Sequence, residues 1–174
     1  MNAPDTIPPT GDASDFDFLM GPWHIRNARL LRRLAGCTEW ETFDATGTAR
    51  PLPGGIGNGD DFIPLTWCAG YVGMALRLFN PQNKRWTIYW LDNVTGGLDP
   101  ATDMLRSPVV GGFSGTDRGL FFGQDMFDGR PVQVRFQWAK NLATGMPRWE
   151  QAFSDDEGRS WETNWVMGFS RPGG

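Results

Sequence analysis

Two charged side chains stand alone among rings and amides in the second half of the chain: Arg135 between Val134 and Phe136, and Glu150 between Trp149 and Gln151. A guanidinium facing a partly dry interior requires a carboxylate or an anionic ligand, and Glu150 is a candidate for that carboxylate. Tyr89 beside Trp90, and Asn164 beside Trp165, offer neutral hydrogen-bonding groups next to flat apolar surfaces. Arg135, Glu150, Tyr89, Trp90, Asn164 and Trp165 are therefore the expected ligand-binding set. The opposing arrangement puts Arg135 and Glu150 on the outside of a sheet, as a cross-strand pair of small energetic consequence. Residue order leaves the two open, because a one-residue change of register reverses every side chain.

Other chemistry is sparse. His24 is the single histidine, Cys37 and Cys68 are the two cysteines, and no His-carboxylate spacing accompanies them, so neither a metal site nor a cofactor is expected. No Gly-x-Ser-x-Gly elbow or phosphate loop occurs. The glycine-rich GGIGNGD lies between strands and opens no helix, so it reads as a loop, with Asn58, Asp60 and Asp61 forming a solvated turn in preference to the alternative of an acidic loop site. Asp155, Asp156 and Glu157 also belong to a turn, and no catalytic residue can be assigned. An enzyme built on this chain, of cyclase or isomerase type, would use Glu150 or Tyr89 as proton carriers.

These residues must be positioned by strands. A chain of 174 residues suits one domain, and 9 Trp and 12 Phe alongside 23 Gly and 13 Pro read as short strands separated by turns around bulky rings. In Val132–Trp138 (VQVRFQW) the residues Val132, Val134, Phe136 and Trp138 alternate with Gln133, Arg135 and Gln137, the period of a strand. Similar stretches cover residues 23–31, 39–48, 72–79, 86–92, 119–125, 148–154 and 161–170, with weaker ones at 50–52, 60–63 and 111–114. Turn chemistry separates them at PGGIGNGD, NPQNK and FDGRP. Roughly eight to ten antiparallel strands in sequence order predict an all-β, up-and-down β-barrel. Residues 1–15, polar and Pro-rich, read as a disordered or loosely docked leader before a barrel domain over 16–174. A helical turn is expected over Asp15–Met20 with Asp15 as N-cap. The long connection Asn93–Val110 has the length of a lid or binding loop.

A formal net charge of −4 supplies no global basic field for nucleic acid or an anionic bilayer. The basic run RNARLLRR, Arg26–Arg33, reads as a solvated face. With no export signal and no apolar run long enough to span a bilayer, the expected location is cytoplasmic. The expected partner is a small hydrophobic or aromatic molecule, with a homodimer through an exposed aromatic strand face as an alternative.

Gly21-Pro22-Trp23 opens the first long strand and resembles the Gly-x-Trp step that begins the barrel of lipocalins and related calycins. The resemblance implies that Trp23 packs at the closed end beneath a basic side chain from the last strand, here Arg171 at the end of NWVMGFSR. If Trp23 points inward, the pleat turns His24 outward. Haem-binding barrels of this kind take an axial histidine from late in the chain, and none occurs after residue 24. Across residues 16–171 the chain resembles an uncharacterised bacterial lipocalin-like family, through EWETFDATG, GGIGNGDDF, LRLFNPQNKRWTIYW, PVQVRFQW and RWEQAFSDDEGRSWETNWVM. It lacks the disulfide-linked secreted architecture usual in lipocalins. Ser154–Trp161, SDDEGRSW, resembles the Asp-box of sialidase-type propellers. It appears once, in a chain too short for a propeller, and so predicts a tight structural hairpin from Ser154 in which Asp156 accepts turn N–H groups, Gly158 takes positive φ and Trp161 packs over the turn.

Overall fold

The computed structural model describes residues 8–173. Ten strands run in chain order: β1 (Gly21–Leu30), β2 (Trp40–Pro51), β3 (Gly57–Pro64), β4 (Gly73–Asn80), β5 (Arg85–Asp92), β6 (Val109–Gly112), β7 (Arg118–Phe127), β8 (Arg130–Ala139), β9 (Arg148–Ser154) and β10 (Glu162–Ser170). Each pairs antiparallel with its neighbours in sequence, and β1 pairs with β10 to close an up-and-down barrel. The all-β barrel expected from the period-two pattern is the observed fold. Helix is confined, among the described residues, to the short turns Asp17–Leu19 and Pro53–Gly55. No helix among them is long and apolar enough to cross a membrane.

Alternation fixes which side chains look inward. On β1 Trp23, Ile25 and Asn27 are buried, whereas His24 faces out and lies 3.5 Å from the Asp44 carboxylate. Two expected boundaries change. Residues 39–48 and 50–52 belong to one strand, β2, and the expected turn PGGIGNGD ends inside β3. Asn58 and Asp60 do not lie in a solvated turn, because both bind the interior guanidinium of Arg77 on the adjacent β4.

The closed end is filled by the segment before β1. Phe16 is fully buried, with its ring centroid 5.0 Å from that of Trp86, 5.3 Å from Phe113 and 5.9 Å from Trp138, all edge-on. Residues 8–15, expected to be disordered or loosely docked, are tied to the barrel rim. Gly11 N donates to Lys84 O at 2.6 Å, Ser114 N to Thr10 O at 2.7 Å and Trp86 Nε1 to Asp12 O at 2.9 Å. The ring cluster needs a cover, and this segment supplies one anchored by these backbone bonds. The rest of the expected leader, residues 1–7, lies outside the described residues. Asp15 does not cap a helix: the turn starts at Asp17 without a side-chain cap, and the buried Asp15 carboxylate accepts from Asp12 N at 2.8 Å and meets Lys140 Nζ at 3.4 Å.

Trp23 locks β1 to this plug by donating from Nε1 to Leu19 O at 2.6 Å. Arg171, just beyond β10, covers the outer face of that ring, with its guanidinium carbon 3.5 Å from the centroid and Nη1 donating to Pro22 O at 3.0 Å. Ring and guanidinium thus join the first and last strands at the closed end.

At the opposite end the β9–β10 hairpin is organised by Asp156. Its Oδ1 accepts from Ser154 Oγ at 2.7 Å and from Ser160 N at 2.9 Å, and its Oδ2 accepts from Ser160 Oγ at 2.7 Å. Gly158, at φ 82°, donates its N–H to Ser154 Oγ at 2.8 Å, a conformation that favours glycine. The bonds from Ser160, and then Ser154, hold the Asp156 carboxyl well below the usual carboxylate range.

The two clamps can each be tested by substitution. Replacing Arg171 with Met removes the stack on Trp23 and should cost about 0.5–1 kcal/mol in urea unfolding. Asp156 titrates lower in the folded protein than in the unfolded chain, so its ionised form stabilises the fold above the unfolded value of 3.8, and that contribution is lost as pH falls below it. Asp156→Asn should therefore lower the thermal midpoint at neutral pH, with the gap to the natural protein narrowing as the buffer is acidified.

Candidate functional site

Between the plug and the open end the barrel encloses a cavity of about 320 Å³. Its walls are mainly rings: Trp67, Trp90, Phe136, Trp149 and Trp165 line it, with Phe62 and Val134 between them. Trp90 has room because β4 carries Gly73 there, and a Cβ at that position would strike the Trp90 ring. Two of the wall indoles have hydrogen-bond partners for their N–H groups. Trp90 Nε1 donates to Tyr71 Oη at 3.1 Å, and Trp165 Nε1 to Oδ1 of the buried Asn27 at 3.0 Å. The polar edges of these two rings are thereby satisfied at the wall. Burial pushes the Tyr71 hydroxyl above its ordinary titration range, which keeps it neutral.

The floor is charged but internally neutralised. Arg77, with a side chain only 4% exposed, donates from Nη2 to Asp60 Oδ2 at 2.7 Å and from Nη1 to Asn58 Oδ1 at 3.0 Å. Its guanidinium also lies 5.2 Å from the Phe16 centroid and 5.7 Å from Trp138, so the floor rests on the plug. Asp60 Oδ1 accepts a further bond from Ala75 N at 3.1 Å.

The mouth holds a second set of cations. Arg29 of β1 pairs with Glu41 at 3.1 Å, and its guanidinium lies 5.1 Å from the Trp67 centroid and 5.4 Å from Trp165. Arg33, in the loop after β1, lies 5.5 Å from the Phe153 centroid and 5.7 Å from Trp165. Burial first, and then the Arg29 charge, lower its pKa to about 10; Glu41 and Glu162 act in the opposite sense. Arg106 and Ser107, from the long β5–β6 connection, complete the rim, so that loop borders the opening.

The six residues expected to bind a ligand divide. Trp90 and Trp165 line the cavity, and Tyr89 borders it, although alternation assigns Tyr89 to the outer row of β5 between the inward Ile88 and Trp90. Asn164 is fully buried at a bulge in β10, where its Oδ1 accepts from Gln151 Nε2 at 2.8 Å. That bond holds the cavity-lining Gln151 in place. Arg135 and Glu150 stand on the outer face, because Val134, Phe136, Trp149 and Gln151 take the inward positions of β8 and β9. Arg135 lies 4.8 Å from the centroid of Trp161, and Glu150 accepts from Arg148 Nε at 2.7 Å. The arginines that line the cavity are Arg29, Arg33, Arg77 and Arg106 instead.

Arg29, Arg33 and Arg77 are the cavity residues that the linear reading missed, and Asn58 and Asp60, which it placed in a solvated turn, bind Arg77. For Arg29 the signal was present, since the alternation that turns His24 outward carries Trp23, Ile25, Asn27 and Arg29 inward together. Arg77 gave no such signal because Ala75, Leu76, Leu78 and Phe79 make both faces of β4 apolar. Arg33 lies past the end of β1, where alternation no longer applies. Among the described residues no group of three or more His, Cys, Asp or Glu is placed to hold a metal ion.

No protein-family model matches this chain, and no curated protein matches it.

The floor network makes a clear stability prediction. Arg77→Met leaves Asp60 and Asn58 buried without their partner and should cost about 3–5 kcal/mol. Chemical denaturation should show that adding Asp60→Asn to Arg77→Met recovers part of that loss.

Proposed function

We propose that the protein is a small-molecule binding barrel of lipocalin-like type, holding a hydrophobic or aromatic ligand in its interior. The observation that carries this reading is the ring-walled cavity of about 320 Å³, within the size range of about 300–1,000 Å³ common for ligand sites. A small barrel of this kind either fills its interior with side chains or holds one small ligand. Here the plug fills one end and the cavity occupies the other. The lipocalin-like assignment is supported by the Gly21-Pro22-Trp23 step, the Arg171 stack on Trp23 and the strand order. A cytoplasmic setting is consistent with Cys37 and Cys68, both free.

The walls would hold a flat ring by dispersion and by edge-to-face contact with Trp67, Trp90, Trp149 and Trp165. The indole N–H groups of Trp90 and Trp165 already have partners at the wall, so an apolar ligand displaces water without breaking those bonds. Affinity then follows the apolar area removed from water, at about 25 cal/mol per Å² before association costs.

Titration with naphthamide, a neutral bicyclic probe, should quench tryptophan fluorescence saturably with one site per chain in calorimetry. Ala75→Phe, which places a ring inside the cavity wall, should weaken that binding by about tenfold or more while leaving the far-ultraviolet spectrum unchanged. Absence of saturable binding to the folded natural protein would overturn the reading.

A further inference from the structure

Arg33 differs from the other partly or fully buried arginines in what its donors lack. Among the described residues, Arg29, Arg77 and Arg135 each leave Nε alone buried without a hydrogen-bond partner, whereas Arg33 leaves both Nε and Nη2. Those two nitrogens form one edge of the guanidinium, the edge that engages a carboxylate through two parallel N–H···O bonds. Leaving buried donors of a charged group unpaired is costly, and native structures seldom tolerate it without a function.

The neighbouring carboxylates are already engaged. Glu41 is paired with Arg29 at 3.1 Å, and Glu162 Oε1 accepts from Leu34 N at 2.7 Å. Arg33 takes part in no ion pair among the described residues. Its guanidinium lies over Trp165, one of the rings that wall the cavity, and Arg33 itself lines that cavity, so the unpaired edge belongs to the cavity wall.

We infer that the cavity takes an aromatic carboxylate, with the ring between the tryptophans and the carboxylate bridging Nε and Nη2 of Arg33. This deepens the reading of the barrel as a binding protein and rests on it. Arg29, fixed between Trp67 and Trp165 and neutralised by Glu41, holds the adjacent wall and adds its field. The ligand would enter ring first and leave its charged end at the rim. The floor repeats the logic in reverse: Arg77 has its carboxylate in Asp60 and asks for no anion.

The test compares naphthoate with naphthamide, two probes of the same ring system that differ in charge. The natural protein should bind naphthoate about tenfold or more tightly than naphthamide, since a bidentate charge-assisted pair replaces two unmade bonds. Arg33→Met should abolish the preference, read as the ratio of the two affinities within each variant, Arg33→Lys should keep part of it, and Arg32→Met, at the exposed neighbour, should keep all of it. Equal binding of the two probes, or a preference that survives Arg33→Met, overturns this inference and leaves the binding cavity standing. Failure of both probes to bind the folded natural protein removes both.

Discussion

The pairing of β1 with β10 is the constraint on which the rest depends. Six residue pairs, from His24 with Ser170 to Arg29 with Trp165, join the ends of the sheet. Once that ladder closes, every strand has two partners, no edge is left for association, and each side chain is assigned to the inside or the outside. The same register puts Arg29 beside Trp165 and brings Arg171, a few residues further on, over Trp23. Closure, the charged mouth and the clamp at the closed end are therefore consequences of one alignment.

Polar groups inside the barrel are more fully paired at the plug and floor than at the mouth. At the plug, Asp15 accepts from Asp12 N and meets Lys140. At the floor, Arg77 is held by Asn58 and Asp60, and in the walls Asn27, Tyr71 and Gln151 each have a named partner. At the mouth that pattern stops, because Arg33 keeps two buried nitrogens without acceptors. Low polarity around a guanidinium strengthens any bond it makes and raises the cost of those it does not. The contrast between floor and mouth separates an arginine held by Asn58 and Asp60 from one with two donors that the protein leaves unmet.

Strand periodicity made much of the architecture legible. Period-two stretches located the strands, and the Gly-x-Trp step with a terminal arginine pointed to the contact between Trp23 and Arg171 that the structure contains. The hairpin at Ser154–Trp161 was legible for a local reason: Asp156 bonds to residues within four positions of it. The site was far less legible. Arg135 and Glu150 drew attention because rings and amides flank them, yet flanking residues on a strand face the opposite side, so inward Val134 and Phe136 place Arg135 outside. The same geometry, applied from Trp23, would have placed Arg29 inside.

By itself, then, the sequence determined the elements and the local devices: alternating strands, glycine-bearing turns, the Asp156 hairpin and the aromatic stock for an interior. These depend on contacts within a few residues or on a period of two, and both can be read along a line. Tertiary structure decided which face of each strand is inside, that residues 8–16 cover the closed end, and that Asn58 and Asp60 leave solvent for Arg77. It also decided that Arg33 lies against Trp165, far away along the chain, with its hydrogen-bonding edge unmet. Those outcomes depend on barrel closure, which joins residues distant in sequence, and a one-residue slip would reverse each of them.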